Sequence, residues 1–234
     1  MGTNLMESGY SDETAMNIVK ASINTSGGMD TWGMMKELSY NKDFKLLDSL
    51  GNVAKDFRQI HKYKYNPLHI HIQSIENGDT IITELVNEEY SRSINGRKIK
   101  VNPEALAKSI NTSTYVVGIP FKLMDPGTVL KYEGELKLEN DKMVDVVSAS
   151  YNADKYVNHS TTDLWKYYFD KEDRRVLGNW VQTSDHYSML ENETYKEEGG
   201  ILFNEKRKSY RVDEHGEKLF LRAAYKYYNY KVKF

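Results

Sequence analysis

Apolar and polar positions alternate along most of this chain. Leu38, Tyr40, Phe44 and Leu46 interleave with Ser39, Asn41, Asp43 and Lys45, the period of two expected of a half-buried strand. Further strands read over Val53–Tyr65, Leu68–Ile75, Thr80–Val86, Glu89–Ile94 and Lys98–Val101. Asn77-Gly78 and Asn95-Gly96 mark tight hairpins between them. Two segments carry a helical period instead. Ser11-Asp12-Glu13 offers a cap and acidic first turn to a face of Ala15, Ile18, Val19, Ser22 and Ile23, stopped by Gly27-Gly28. A short helix over Asp30–Lys36 follows, with Trp32 and Met35. The second main helix opens at Asn102-Pro103, places Ala105, Leu106, Ser109 and Ile110 on one face, and runs into the apolar segment Gly118–Met124.

After the turn signal Pro126-Gly127 the alternation resumes over Val129–Leu138, Lys142–Tyr151, Asp163–Asp170, Val176–Thr183, Ile201–Val212 and Lys218–Lys233. His186–Gly200 reads as the longest loop. Short connections favour sequential antiparallel pairing. The fold class expected is therefore α+β: a curved antiparallel sheet of about 11 strands, with the Gly118–Met124 element plugging its concave face.

Composition narrows the function classes. A chain of 234 residues, 39% hydrophobic, fits one large domain. Its 18 tyrosines and 4 prolines suit a sheet protein. A net charge of -2 argues against a general nucleic-acid binder. Without cysteine there is no disulfide, thiolate metal site or thiol nucleophile. No stretch approaches the ~18 apolar residues of a membrane span. Residues 1–10 lack a basic start and apolar run; Met1-Gly2-Thr3 reads as an expression start, or disordered segment, after removal of a leader.

The helix ending at Gly27-Gly28, Trp32, and the Leu38-Ser39-Tyr40 strand resemble the start of the lipoprotein-carrier fold, the LolA/LolB-like group. Ile119-Pro120-Phe121-Lys122-Leu123-Met124-Asp125-Pro126-Gly127 and Trp165-Lys166-Tyr167-Tyr168-Phe169-Asp170 resemble segments of uncharacterised envelope proteins of Bacteroidetes-type bacteria with that fold. The resemblance implies a single carrier-like domain over residues 11–234: an open half-barrel whose helices close an apolar cavity. It implies a periplasmic or outer-membrane-associated protein without enzymatic activity or cofactor. Its partner would be a lipid, acyl chain or lipidated peptide, with another envelope protein as a further partner. Parity and the resemblance together assign the cavity lining to Trp32, Tyr40, Phe44, Phe121, Leu123, Met124, Trp165 and Tyr167. A scaffold with those side chains filling a packed core is the alternative.

Other constellations are weaker. His69 and His71 share a strand face and His61 lies on the strand before, but Leu68, Ile70 and Ile72 take the inward parity, leaving the pair toward solvent and no metal site expected. No nucleophile elbow, P-loop or dinucleotide fingerprint occurs. Asp163, Asp170, Glu172 and Asp173 would serve a carboxylate-dependent hydrolase only if they converged in a cleft; a charged hairpin tip is the simpler reading. Tyr225–Lys231 mixes aromatic and basic residues, suiting base or sugar stacking, or a lysine-blunted sheet edge.

Overall fold

The computed structural model describes residues 11–151 and 163–234; the expectation for residues 1–10 falls outside them. Thirteen strands form one sheet in the order β6-β5-β4-β3-β2-β1-β13-β12-β11-β10-β9-β8-β7, antiparallel throughout. The chain leaves the centre at β1 (Glu37–Leu47) and steps outward through β2 (Val53–Tyr65), β3 (Leu68–Glu76), β4 (Asp79–Val86), β5 (Glu89–Ile94) and the two-residue β6 (Arg97–Lys98). It crosses as helix α3 (Pro103–Val117) and a 3-10 turn (Phe121–Met124), then restarts at the far edge. From there β7 (Thr128–Lys137), β8 (Met143–Tyr151), β9 (Leu164–Asp170), β10 (Val176–Gln182), β11 (Tyr187–Glu198), β12 (Ile201–Val212) and β13 (Lys218–Lys233) walk back to pair with β1. The sheet is open, and α3 bridges its two edges.

Two expectations are corrected. Residues 187–198 are not a loop but strand β11, in register with β10 and β12. Its polar sequence and its register shifts around Thr194 hide the alternation. Tyr225–Lys231 lies on β13, a central strand between β1 and β12, so no edge needs blunting there. Tyr227 and Tyr230 are buried, while Lys226 and Lys231 are exposed.

Helix α1 (Glu13–Thr25) starts where Asp12 accepts the Ala15 amide at 2.6 Å and buries Ala15, Ile18, Val19, Ser22 and Ile23. The residues before it also seal an edge strand. Ser11 Oγ accepts the Leu130 amide at 2.9 Å, Asp12 Oδ2 that of Tyr132 at 2.6 Å, and the Asp12 amide donates to the Leu130 carbonyl at 3.0 Å. At its other end Gly27 has φ 114°, and a Cβ there would stand 2.1 Å from the Gly200 carbonyl oxygen. Only glycine lets α1 meet the β11–β12 turn so closely. Helix α2 (Met29–Met34) follows and carries Trp32.

Helices α1 and α3 and the 3-10 turn close over one core that includes Leu38, Tyr40, Tyr63, Ile70, Leu123, Leu130, Tyr167, Phe169, Ile201 and Phe203. Tyrosine hydroxyls inside it are paired: Tyr40 with Tyr63 at 2.8 Å, Tyr115 with Tyr167 at 3.1 Å and with Tyr151, and Tyr230 donating to the Asn204 carbonyl at 2.7 Å. A second cluster of Val144, Val146, Tyr168, Trp180 and Val212 lies on the other face of the sheet. Strand β8 is therefore buried on both faces through most of its length, as its unbroken run Val144–Ala149 allows.

Candidate ligand groove

The structure sorts the expected cavity residues by depth. Trp32 stacks on Phe121 with ring centroids 4.5 Å apart and planes 7° apart. Phe121 and Leu123 are buried, with Met124 packed beside them. Trp165 and Tyr167 stack at 6.2 Å, and Tyr167 bonds to Tyr115 of α3. Tyr40 is buried between His61, stacked at 4.5 Å, and the edge of Tyr63. These residues share one packed core. Phe44, four residues further along β1, lies outside it and meets Phe57 at 4.9 Å and Tyr225 at 5.1 Å.

Phe44 lines a groove of about 430 Å3 between α3 and the concave face. Its floor is Lys42 and Phe44 of β1 with Phe57 and Gln59 of β2; its roof is Ala105, Lys108, Ser109, Thr112 and Ser113 of α3. The roof is cut from small residues, apart from Lys108. Helix α3 buries Leu106, Ile110, Tyr115 and Val117 instead, so this side of it stands off the sheet.

The floor is basic as well as aromatic. Lys42 Nζ sits 5.4 Å from the Tyr225 ring, 5.6 Å from Phe44 and 5.8 Å from Tyr227. Arg207 lies opposite Tyr225 in the sheet, is only 4% exposed, and donates through Nε to Asn192 Oδ1 at 2.7 Å. Burial, then Tyr227, pushes the Tyr225 phenol up to about 12, while the charges of Arg207, Arg222 and Arg211 pull the other way. Burial, then repulsion from Arg222, lowers the pKa of Arg211. Deeper in, His61 is fully buried, its Nδ1 2.8 Å from Tyr63 Oη; burial, then the charge of Lys42, hold it well below the ordinary 6.5. Neither Lys42, which lines the groove, nor Arg207, which lies opposite Tyr225 outside its lining, was singled out from the sequence, although Lys42 occupies the inward parity between Tyr40 and Phe44.

A larger cleft, about 730 Å3, lies over the second cluster on the opposite face, with Tyr168, Trp180 and Met189 in its wall. Its rim is laced with ion pairs. Lys218 bonds Glu139 at 2.7 Å and Glu191 at 2.6 Å, which push it up to about 12 although burial opposes them. Asp170 pairs with Lys142 and Asp173 with Arg175. These acids are tied to cations and turn amides, since Asp170 also accepts the Glu172 amide at 2.9 Å. His71 Nδ1 lies 2.8 Å from Glu84 and His69 Nε2 3.8 Å from it, on the outer face of β3 and β4. His61 cannot join them, because it pairs with Ile72 and faces the core. Among the described residues no group of three His, Asp or Glu side chains is arranged to hold a metal, and no helix is long and apolar enough to cross a membrane.

Solved structures share this architecture over nearly the full chain. A DUF1329 family protein from Desulfovibrio piger superposes with a TM-score of 0.57 at 9% identity, covering 95% of this chain and 94% of its own. A putative outer membrane lipoprotein-sorting protein domain from Vibrio parahaemolyticus gives 0.55 at 10% identity, covering 94% and 93%. A LolA superfamily protein from Nitrosomonas europaea gives 0.52 at 10% identity, covering 94% of each chain. The chain has the lipoprotein-carrier fold. At these identities the likeness is one of fold. No protein-family model matches the sequence, and no curated protein matches it.

Proposed function

We propose that this carrier-fold protein is a non-enzymatic binding protein of the bacterial envelope, on the periplasmic or outer-membrane side. Its ligand is a lipid, an acyl chain or a lipidated peptide, held between α3 and the concave face; another envelope protein would deliver or receive it. The observation that carries this reading is the groove under α3, walled by Phe44 and Phe57 in a sheet whose edges do not close. Its 430 Å3 falls in the range of small-molecule pockets. The names of the Vibrio and Nitrosomonas proteins support the same reading. The deeper residues Trp32, Tyr40, Phe121, Leu123, Met124, Trp165 and Tyr167 would back the groove and take up more of a long chain as α3 lifts.

The packing of those same residues favours a second reading, a scaffold with a filled core. A chain-length series separates the two. Each buried methylene contributes about 0.8 kcal/mol, so a groove-bound acyl chain gains roughly fourfold in affinity per carbon until the groove is full. Titration with fluorescent fatty acids should show saturable binding that steepens with length. Ser109→Phe, which fills the roof, should abolish it without lowering the melting temperature. Absence of binding by every chain length, with no lipid retained in native mass spectrometry after detergent-free purification, would leave the scaffold reading.

A further inference from the structure

Among the described residues, Lys42, Arg207, Arg211 and Arg222 of the concave face have no ion-pair partner. Among the described residues Lys42 has neither a carboxylate partner nor a hydrogen-bond acceptor; its surroundings are the rings of Phe44, Tyr225 and Tyr227. Arg207 is 4% exposed and, among the described residues, has only the neutral Asn192 amide as hydrogen-bond partner. Arg211 donates to Ser188 Oγ at 2.6 Å and Arg222 to the Leu47 carbonyl, again uncharged acceptors. The one carboxylate that acts on Arg211 is Asp185, which is itself paired with His186. On the opposite face Lys45, Arg58, Lys64, Lys208 and Lys233 each have an acidic partner, whereas Lys166 and Lys226 there lie over the rings of Trp180 and Tyr228. Charged side chains are almost never fully buried unless paired, because an uncompensated charge in a low-dielectric site is strongly unfavourable. Lys108 adds a further cation from the roof of the groove.

We infer that the ligand is an anionic amphiphile, its carboxylate or phosphate head group seated between Lys42 and Arg207 beside Tyr225 and its chain lying along Phe44 and Phe57 beneath α3. This deepens the reading of the groove as an acyl-chain site and rests on it. The three rings surround Lys42 Nζ without taking its three N–H donors, which among the described residues have no acceptor and can meet a bound anion. Inward, the field of Lys42 already reaches His61. A charge-assisted contact of this kind is the stronger class of hydrogen bond, and it also fixes which end of the chain enters.

The test compares ligands of one chain length: dodecanoate, dodecyl phosphate and dodecanol, with acetate and inorganic phosphate as heads without tails. Calorimetric titration should show both amphiphilic anions binding at least tenfold tighter than dodecanol. Lys42→Met keeps the length of the side chain and removes the charge. It should weaken both anions by roughly tenfold to a hundredfold and leave dodecanol unchanged. Lys42→Arg should restore the preference, and the melting temperatures report whether each variant is folded. Equal binding of anion and alcohol, unmoved by Lys42→Met, overturns the head-group assignment while the groove stands. Binding of acetate or inorganic phosphate as tight as the amphiphiles overturns it as well, in favour of a small-anion site. Binding of none of the three twelve-carbon ligands brings it down together with the acyl-chain reading.

Discussion

His61→Phe isolates one buried group and gives stability a defined dependence on pH. The imidazole is fully buried, stacked on Tyr40 with planes 10° apart, and bonded to Tyr63 Oη at 2.8 Å. Burial and the charge of Lys42 keep it neutral in the folded protein, its pKa well below the 6.5 of the unfolded chain. Between those two values the unfolded state binds a proton that the folded state refuses, so stability falls as pH falls below 6.5. The loss approaches about 1.4 kcal/mol per pH unit between the unfolded-state pKa and the folded-state pKa. Phenylalanine keeps the stacking and removes the proton site, the bond to Gln59 Oε1 at 3.2 Å and the bond to Tyr63, which retains Tyr40 as a partner. At pH 7.5 the variant should therefore be less stable by about 1–2 kcal/mol. At pH 5 the gap should close or reverse, because only the wild type is drawn toward unfolding by His61. Asp48, Asp185 and Asp213, whose pKa values are lowered mainly by hydrogen bonds, destabilise both proteins alike as acid protonates them, so they cancel in the difference. Urea unfolding at a series of pH values measures that difference directly. A stability gap that stays constant from pH 7.5 to 5 would show that His61 is not held neutral in the core.

Three further outcomes test the frame around the groove. Gly27→Ala forces a Cβ against the Gly200 carbonyl at φ 114° and should cost more than about 2 kcal/mol in chemical unfolding, whereas Gly28→Ala, whose Cβ meets nothing, should cost only its backbone strain. Leu123→Ala, at 1% exposure in the plug, should destabilise by about 2–5 kcal/mol, and a smaller loss would mean the turn does not pack as described. The pair His69→Gln and His71→Gln removes only a partly exposed ion pair with Glu84 and should shift stability by under about 1 kcal/mol, with no zinc-dependent rise in melting temperature in either protein.

Most strands of this fold were legible because they carry a period of two, and the order within each half of the sheet follows from short connections between sequential strands, whereas the pairing of β1 with β13 joins the first strand to the last and no connection dictates it. The helices were legible from caps: Asp12 for α1, and Asn102 with Pro103 for α3. Strand β11 was not, since Tyr187–Glu198 is too polar for alternation to show against the two register shifts beside Thr194. Parity assigned residues to the concave face but carries no information on depth. It could not separate Tyr40, locked among Tyr63 and His61, from Phe44, four residues on and open to the groove. The basic floor was half visible. Lys42 breaks an otherwise apolar face, a signal that a strict parity reading of β1 exposes. Arg207 sits in Lys206-Arg207-Lys208, which looks like a solvated charge run until β12 is paired with β13 and Arg207 is set opposite Tyr225. The second cluster behind the sheet was written in Val144, Val146 and Tyr168, apolar residues at the parity opposite to Val147, Ala149, Tyr167 and Phe169 of the main core.

The acyl ligand proposed here lies under α3 and not in the larger cleft on the other face. Photo-crosslinking with a diazirine-bearing fatty acid, followed by peptide mass spectrometry, tests this most directly. Adducts are expected on the β1–β2 floor at Phe44 and Phe57 and on the roof between Ala105 and Ser113, competed away by unlabelled fatty acid and lost in Ser109→Phe. Adducts confined to the Tyr168, Trp180 and Met189 wall of the opposite cleft would contradict it.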